Sequence, residues 1–138
     1  MRITQEADYA LRIILTLSKS GKEVRTDAKT IATQENVPQR FALKILRKLT
    51  KAGLVKSFRG VQGGYSIDME PEEITILDVI SAIDGPININ RCLEDPASCN
   101  KQSAAICTIH NALGEVQDTI TQKLGGITFR SLIRKHEL

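Results

Sequence analysis

Two helical patterns separated by a brief turn constrain the fold of this 138-residue chain more than any other feature. Asp27 is suited to cap a short helix, and Asn36 is suited to the left-handed residue that ends it. Pro38 favours the first position of a longer helix that Gly53 ends. Its apolar stripe comprises Phe41, Ala42, Ile45, Leu46 and Leu49. The spacing predicts a helix-turn-helix.

A glycine-rich hairpin follows the second of these helices. Residues 54–58 and 65–67 are β-prone, and residues 59–64 contain three glycines that supply a turn and room for close approach. Thr4 is placed to cap an earlier helix, and Thr75 with Asp78 forms a capping box for a later one. The sequence therefore predicts a winged helix-turn-helix in residues 1–84.

The C-terminal part carries a long apolar repeat. We expect a helix from about Ser103 to Lys123, with apolar side chains recurring every three or four residues. They are Ile106, Ile109, Leu113, Val116, Ile120 and Leu124. One small domain need not cover so long a stripe, so residues 103–138 are predicted to hold a dimerisation helix, the alternative being an intramolecular core helix. The predicted fold is mainly α with a small β-hairpin.

Charge divides the chain into two unlike halves. Residues 1–66 hold thirteen Lys or Arg against five Asp or Glu, a net charge of +8. Residues 67–138 hold six against eleven, a net charge of −5. A basic half attracts phosphates, whereas the acidic half would be repelled by the same polyanion. The pattern favours double-stranded DNA as a partner of the first half, with a solvated charged face as the alternative.

The predicted DNA contacts follow from the geometry of the motif. The second helix of a helix-turn-helix directs its N-terminal residues toward base edges, and residues further along meet phosphates. An arginine in the glycine-flanked wing is suited to a narrow minor groove. The candidates are Gln39, Arg40, Lys44 and Arg47 on the helix, and Arg59 and Gln62 in the wing.

All three cysteines lie within sixteen residues. Cys92, Cys99 and Cys107 are followed by His110, and thiolates with one imidazole can complete a four-ligand set around iron, zinc or copper. If the helix begins at Ser103, Cys107 and His110 share one face. Residues 85–102 are thus predicted to form a cluster-binding loop. Three small core residues are the alternative, and zinc is disfavoured because no Cys-x(2–4)-Cys pair is present.

The composition also indicates what the chain lacks. An odd cysteine count disfavours disulfides, and charged residues from Glu6 to Arg12 interrupt any signal-peptide core. No window reaches the about 18 apolar residues of a membrane span. We therefore expect a soluble, cytoplasmic protein. Because no catalytic triad, phosphate loop or carboxylate pair is evident, we expect no enzyme activity.

Several short motifs resemble one known family, the bacterial winged-helix iron-sulfur regulators typified by IscR, NsrR, RirA and CymR. The similarity runs over essentially the whole chain and includes residues 1–4, 8–10, 53–55, 59–60, 63–65, 80–85 and 126–128. The resemblance implies a homodimer on a pseudo-palindromic operator, with an iron-sulfur cluster near the dimer interface. It also implies a transcription regulator, and we expect a repressor that senses the supply of iron-sulfur clusters. A nitric-oxide or iron sensor of the same family is the alternative.

The resemblance also implies the cluster ligands. The family cysteines map onto Cys92, Cys99 and Cys107, and the histidine ligand of IscR-like members maps onto His110, which favours a 2Fe-2S cluster over 4Fe-4S. NsrR-like members instead use an acidic residue that maps onto Asp8. Two readings from other classes use the same cysteines: an iron-sulfur electron carrier, which needs no basic half, and a thiol switch without metal.

Overall fold

Capping side chains set most helix boundaries in the computed structural model, which describes residues 2–136. The helices are α1 (Gln5–Ser20), α2 (Ala28–Glu35), α3 (Gln39–Lys51), α4 (Ile76–Asp84), α5 (Arg91–Glu94), α6 (Thr108–Gly125) and α7 (Phe129–His136). The strands are β1 (Val55–Phe58) and β2 (Gly64–Ile67), and 3-10 turns lie at Pro96–Ser98 and Ala104–Ile106. The predicted class, mainly α with a small β-hairpin, is confirmed.

Four predicted caps are present. The Thr4 hydroxyl oxygen accepts from the Ala7 N–H at 3.1 Å, and an Asp27 carboxylate oxygen accepts from the Thr30 N–H at 2.8 Å. Thr75 and Asp78 form the reciprocal capping box, and Asn36 ends α2 at φ 55°. These side chains satisfy backbone groups that a helix terminus leaves without partners. Local sequence therefore determines where the motif helices begin or end.

Helix α1 lies at the centre of an aliphatic core and packs against α2, α3, α4, α7 and β2. Its buried face and that of α3 interdigitate through Ile13, Ile14, Ile45, Leu46 and Leu49, all fully buried. Helix α7 contributes Phe129, which is 1% exposed. The Phe129 N–H donates to the Ile74 carbonyl at 3.0 Å. The segment after α6 thus returns to the helix-turn-helix and closes its core.

The wing is an antiparallel hairpin with Val55 opposite Ile67 and Phe58 opposite Gly64. The chain before α2 pairs with its outer strand: the Thr26 N–H donates to the Tyr65 carbonyl at 2.9 Å, and the Tyr65 N–H donates back at 2.8 Å. Gly64 permits this approach, because a Cβ there would lie 2.8 Å from the Thr26 carbonyl. The wing is therefore tied to the helices.

Three local expectations were wrong. Pro38 is the N-cap of α3 and not its first helical residue, and Phe41 is 41% exposed and lies outside the core. The long helix begins at Thr108, not at Ser103, because Cys107 has an extended backbone at φ −78°, ψ 120° and acts as the N-cap. Cys107 and His110 therefore do not share a helical face.

Helix α6 is the longest helix and packs on α4 and α5. None of its residues is fully buried, and Ile109 and Val116 are 67% and 49% exposed. The apolar stripe predicted from the sequence is thus largely uncovered within the chain. No helix within residues 2–136 has both the length and the apolarity to cross a membrane.

We predict that Gly64→Ala destabilises the protein by about 2 kcal/mol, since a side chain at positive φ is strained and this one would also press on the Thr26 backbone. Equilibrium urea unfolding measures the change. Gly114→Ala is the matched control: Gly114 lies inside α6 with only ordinary contact to Leu93, so alanine there should stabilise by about 0.5–1 kcal/mol. Equal stability of Gly64→Ala and the parent protein would contradict the close packing of wing and helices.

Candidate functional site

The exposed face of α3 carries the predicted helix contacts. The opposite face is anchored by Ala42, Ile45, Leu46 and Leu49, which are fully buried. Gln39, Arg40, Lys44 and Arg47 are all exposed. Packing therefore fixes the orientation of the helix and leaves these polar side chains directed outward. Such a surface can donate hydrogen bonds to base edges and phosphates.

A carboxylate from α1 reaches two lysines of this helix. Glu6 Oε1 lies 3.0 Å from Lys48 Nζ and 3.9 Å from Lys44 Nζ, and the Glu6 side chain is only 25% exposed. Sequence reasoning missed this contact, because residues 6 and 48 are distant in the chain and no motif joins them. Glu6 reduces the positive potential of the helix and restricts the two ammonium groups.

The wing turn presents the remaining predicted DNA contacts. Arg59 and Gln62 are exposed in the turn between β1 and β2, where Gly60 adopts φ +95°. The turn therefore projects both side chains away from the core. Helix α3 packs against β1 of the wing, and both elements lie in the basic half of the sequence.

The three cysteines and His110 line one cavity of about 200 Å³. Cys92 belongs to α5, Cys99 follows the first 3-10 turn, and Cys107 caps α6. All three thiols are free and half-buried. The alternative of three core cysteines therefore does not hold. Four donors, from α5, from the end of a 3-10 turn and from the start of α6, line the same space.

Backbone and side-chain N–H groups surround the sulfur atoms. The N–H groups of Ser103 and Lys101 hold the pKa of the Cys99 thiol below its usual value. The His110 N–H lies 3.5 Å from Cys107 Sγ, and Asn90 Nδ2 lies 3.5 Å from Cys92 Sγ. The lowered pKa of Cys99 favours its thiolate, which is the form that binds metals. Asn90 was not predicted, since an asparagine near a cysteine carries no distinctive pattern.

The His110 imidazole has unused hydrogen-bonding capacity. Its Nδ1 is buried and has no hydrogen-bond partner within the described residues. A buried polar nitrogen without a partner is costly unless a ligand or water meets it. In residues 2–136 no three His, Cys, Asp or Glu side chains converge closely enough for a single metal ion. Three thiols and one imidazole are nonetheless the donor types that soft transition metals and iron-sulfur clusters bind.

Asp8, the other candidate ligand, lies outside this cavity lining. Its carboxylate is 61% exposed and pairs with Arg12 Nη2 at 3.3 Å. The pair joins successive turns of α1. Within the chain, Asp8 is therefore occupied by a cation, whereas His110 lines the cavity with the cysteines.

Two hydrogen bonds link the residue before the cysteine segment to the N-cap of α1, the weaker from the Thr4 N–H to Asp84 Oδ2 at 3.4 Å. The Thr4 hydroxyl donates to Asp84 Oδ1 at 2.6 Å, and Asp84 is the last residue of α4, directly before the segment that contains the cysteines. The same hydroxyl oxygen accepts from the Ala7 N–H and so caps α1. Residues 84 and 4 are far apart in sequence, and no sequence signal indicated the contact.

Comparison with known proteins gives one consistent family. The model of the Rrf2 family, described as iron-dependent transcriptional regulators, matches residues 3–135. CymR of Bacillus subtilis is 36% identical over 121 residues, which cover 88% of this chain and 86% of CymR. IscR of Pectobacterium atrosepticum is 30% identical over 138 residues, which cover 100% of this chain and 82% of IscR.

A solved structure agrees with the sequence matches. The structure of CymR, described as the global cysteine regulator of B. subtilis, aligns with a TM-score of 0.73 and 33% identity over 96% of this chain and 95% of that one. The helix-turn-helix with its wing and the match over nearly the whole chain lead to one conclusion: the protein belongs to the Rrf2 family of DNA-binding transcriptional regulators.

Proposed function

We propose that this regulator is a homodimeric repressor whose operator affinity is controlled by an iron-sulfur cluster, with 2Fe-2S favoured over 4Fe-4S. Cys92, Cys99, Cys107 and His110 would hold the cluster, and cluster supply is the proposed signal in a reducing cytoplasm. One observation carries the proposal: three free thiols and an unpartnered imidazole nitrogen line one cavity beside a DNA-binding fold. The similarity to IscR supports it.

The residues around the cavity have complementary tasks in this proposal. The backbone N–H groups near Cys99 favour its thiolate. Asn90 Nδ2 and the His110 N–H lie 3.5 Å from the sulfur atoms of Cys92 and Cys107, respectively. A bound cluster would act as the signal, because its occupancy depends on the supply of iron and sulfide and on the level of oxidants. Its four protein ligands would tie α5, the 3-10 turn and α6 together.

A metal-free thiol sensor is the second candidate. It is supported by the relative CymR, described as a cysteine regulator, and by the lowered pKa of the Cys99 thiol. A thiolate is the reactive form of cysteine, so a small thiol or an oxidant could act on it directly. An electron carrier explains neither the exposed basic face of α3 nor the family membership.

We propose the same DNA-contacting residues that the sequence predicts. Gln39, Arg40 and Lys44 would approach base edges in the major groove, and Arg47 would contact phosphate. Arg59 and Gln62 would enter the adjacent minor groove from the wing. Support comes from their common exposure and from the buried opposite face of α3.

We further propose how the cysteine segment acts on α3. A change in residues 85–107 would displace Asp84, which accepts from Thr4 at the start of α1. The first turn of α1 also carries Glu6, which holds Lys48 on α3. Two short polar contacts thus connect the end of α4 to the DNA-facing helix through one rigid helix. That is the kind of contiguous link that coupling between two sites requires.

We predict that anaerobically purified protein absorbs in the visible range and contains iron and acid-labile sulfide, and that Cys99→Ala loses all three. Far-ultraviolet circular dichroism should be unchanged, because Cys99 is not part of the core. His110→Ala and Asp8→Ala, compared in the same way, identify the fourth ligand: only the former should alter the spectrum. A colourless, metal-free native protein would favour the thiol sensor.

We predict that Asp84→Asn reduces the difference between the operator affinities of cluster-bound and cluster-free protein by about threefold or more, since a neutral amide accepts a weaker hydrogen bond from Thr4 than a carboxylate does. Salt-matched fluorescence anisotropy titrations of both forms measure the ratio. Asp118→Asn, a carboxylate change on α6, is the control and should retain the parent ratio. Equal affinities of the two parent forms would remove the sensor hypothesis and leave DNA binding intact.

We predict that Val116→Glu shifts the protein from dimer to monomer in sedimentation equilibrium, because a charge would be buried in the proposed α6 interface. Its thermal unfolding as a monomer should change little, since Val116 is 49% exposed within the chain. Glu115→Gln changes a charge at the neighbouring position and should leave the mass unchanged. A parent protein that is monomeric at all concentrations would refute the dimer.

A further inference from the structure

The residues before α2 pair with the wing as a short third segment beside β2. Thr26 and Tyr65 exchange two backbone hydrogen bonds of 2.9 and 2.8 Å, so the backbone next to Arg25 is fixed against β2. Arg25 itself is exposed. A residue outside the hairpin is thereby held beside the strands that carry the wing turn.

Arg25 stacks on an aromatic ring of the first strand. The Arg25 guanidinium carbon lies 3.7 Å from the centre of the Phe58 ring, and Lys56 Nζ lies 5.4 Å from the same centre. Lys56 and Phe58 are two apart on β1 and so share one face of the strand. Two cations therefore surround one ring, directly before Arg59 in the wing turn.

The charges of this pair are not used within the chain. In the described part of the protein, neither Arg25 nor Lys56 makes an ion pair or a hydrogen bond through its side chain. The neighbouring Lys22 differs: it pairs with Glu70 at 3.1 Å, and this contact raises its pKa. A stacked guanidinium has its face covered while the donors on its edge remain free. Stacking also restricts a long side chain before any ligand arrives.

We propose that Arg25 and Lys56, organised by Phe58, form a clamp for backbone phosphates of duplex DNA next to the wing turn. The edge donors of Arg25 match two phosphate oxygens, and Lys56 adds a point charge. Charge complementarity identifies the occupant, because both residues are exposed, lie in the basic half of the chain and are close in sequence or contact to Arg59, the arginine of the wing turn. Glu23 and Asp68 line the same depression, so the free cations there are the two that stack on Phe58. The clamp rests on the DNA-binding function and not on the iron-sulfur proposal.

The clamp makes a definite prediction for salt dependence. Each neutralised phosphate contributes about −0.9 to the slope of log K against log salt. Loss of one contact in Arg25→Gln should therefore reduce the steepness by about one and weaken binding roughly eightfold near 0.1 M salt. The full-length protein without added iron is titrated with a fluorescent duplex of arbitrary sequence. Lys56→Gln should behave in the same way, because phosphate contacts act independently of base sequence.

Two further variants distinguish a phosphate clamp from a contact that only stabilises the fold. Phe58→Leu keeps both charges, so binding should weaken about two- to fivefold with the salt slope retained. Lys123→Gln removes one charge from α6 and should change neither quantity. The proposal is overturned if Arg25→Gln keeps the parent slope and affinity while its melting temperature falls, or if its effect equals that of Lys123→Gln. Loss of the cluster in every preparation would refute the sensor but leave this measurement intact.

Discussion

The packing of α1 is the constraint on which the rest of the structure depends. Its apolar face is buried against α2, α3, α4 and α7, so its axis is fixed by the aliphatic core. Its first turn is polar and partly exposed, and there Thr4 meets Asp84 while Glu6 meets Lys48. A close-packed interior transmits displacement because it cannot deform smoothly. A helix with a rigid body and two polar contacts at one end is therefore well placed to relay a change from α4 to α3.

The contact between Glu6 and the α3 lysines also lowers the positive charge of the helix proposed to face DNA. Phosphate attraction is independent of sequence, so a helix with only free cations would bind any duplex tightly. Glu6 offsets part of the charge of Lys48 and lies within 3.9 Å of Lys44. In the proposed complex, discrimination would then depend more on side chains directed at base edges, such as Gln39 and Arg40. Reduced basicity in this helix would thus favour the specificity of the proposed complex over its total affinity.

Sequence predicted those parts of the fold that depend on neighbours in the chain. Caps such as Asp27 and Asn36, and the glycine-rich hairpin, act within a few residues, and they were placed correctly. The start of α6 was misplaced because an apolar repeat continues through the 3-10 turn before Cys107, and periodicity alone does not register the extended backbone there. Contacts between distant residues, including Glu6 with Lys48 and Arg25 with Phe58, have no local signature. The cysteine cavity was anticipated because its donors are close in sequence, whereas the part played by Asn90 was not.

The cysteine segment differs from the core in what holds it together. Of residues 85–107, only Ala104 is fully buried, so apolar packing contributes little to the order of this segment. Its short helices are stabilised by local caps, including Asn90 and Asp95, and by Cys107 at the start of α6. A group bridging three thiolates and an imidazole would add the cross-links that packing does not supply. Because this segment begins directly after Asp84, its degree of order bears on the contact between Asp84 and Thr4. In the proposed regulator, a weakly packed cysteine segment would let loss of the bound group alter a well-packed DNA-binding domain.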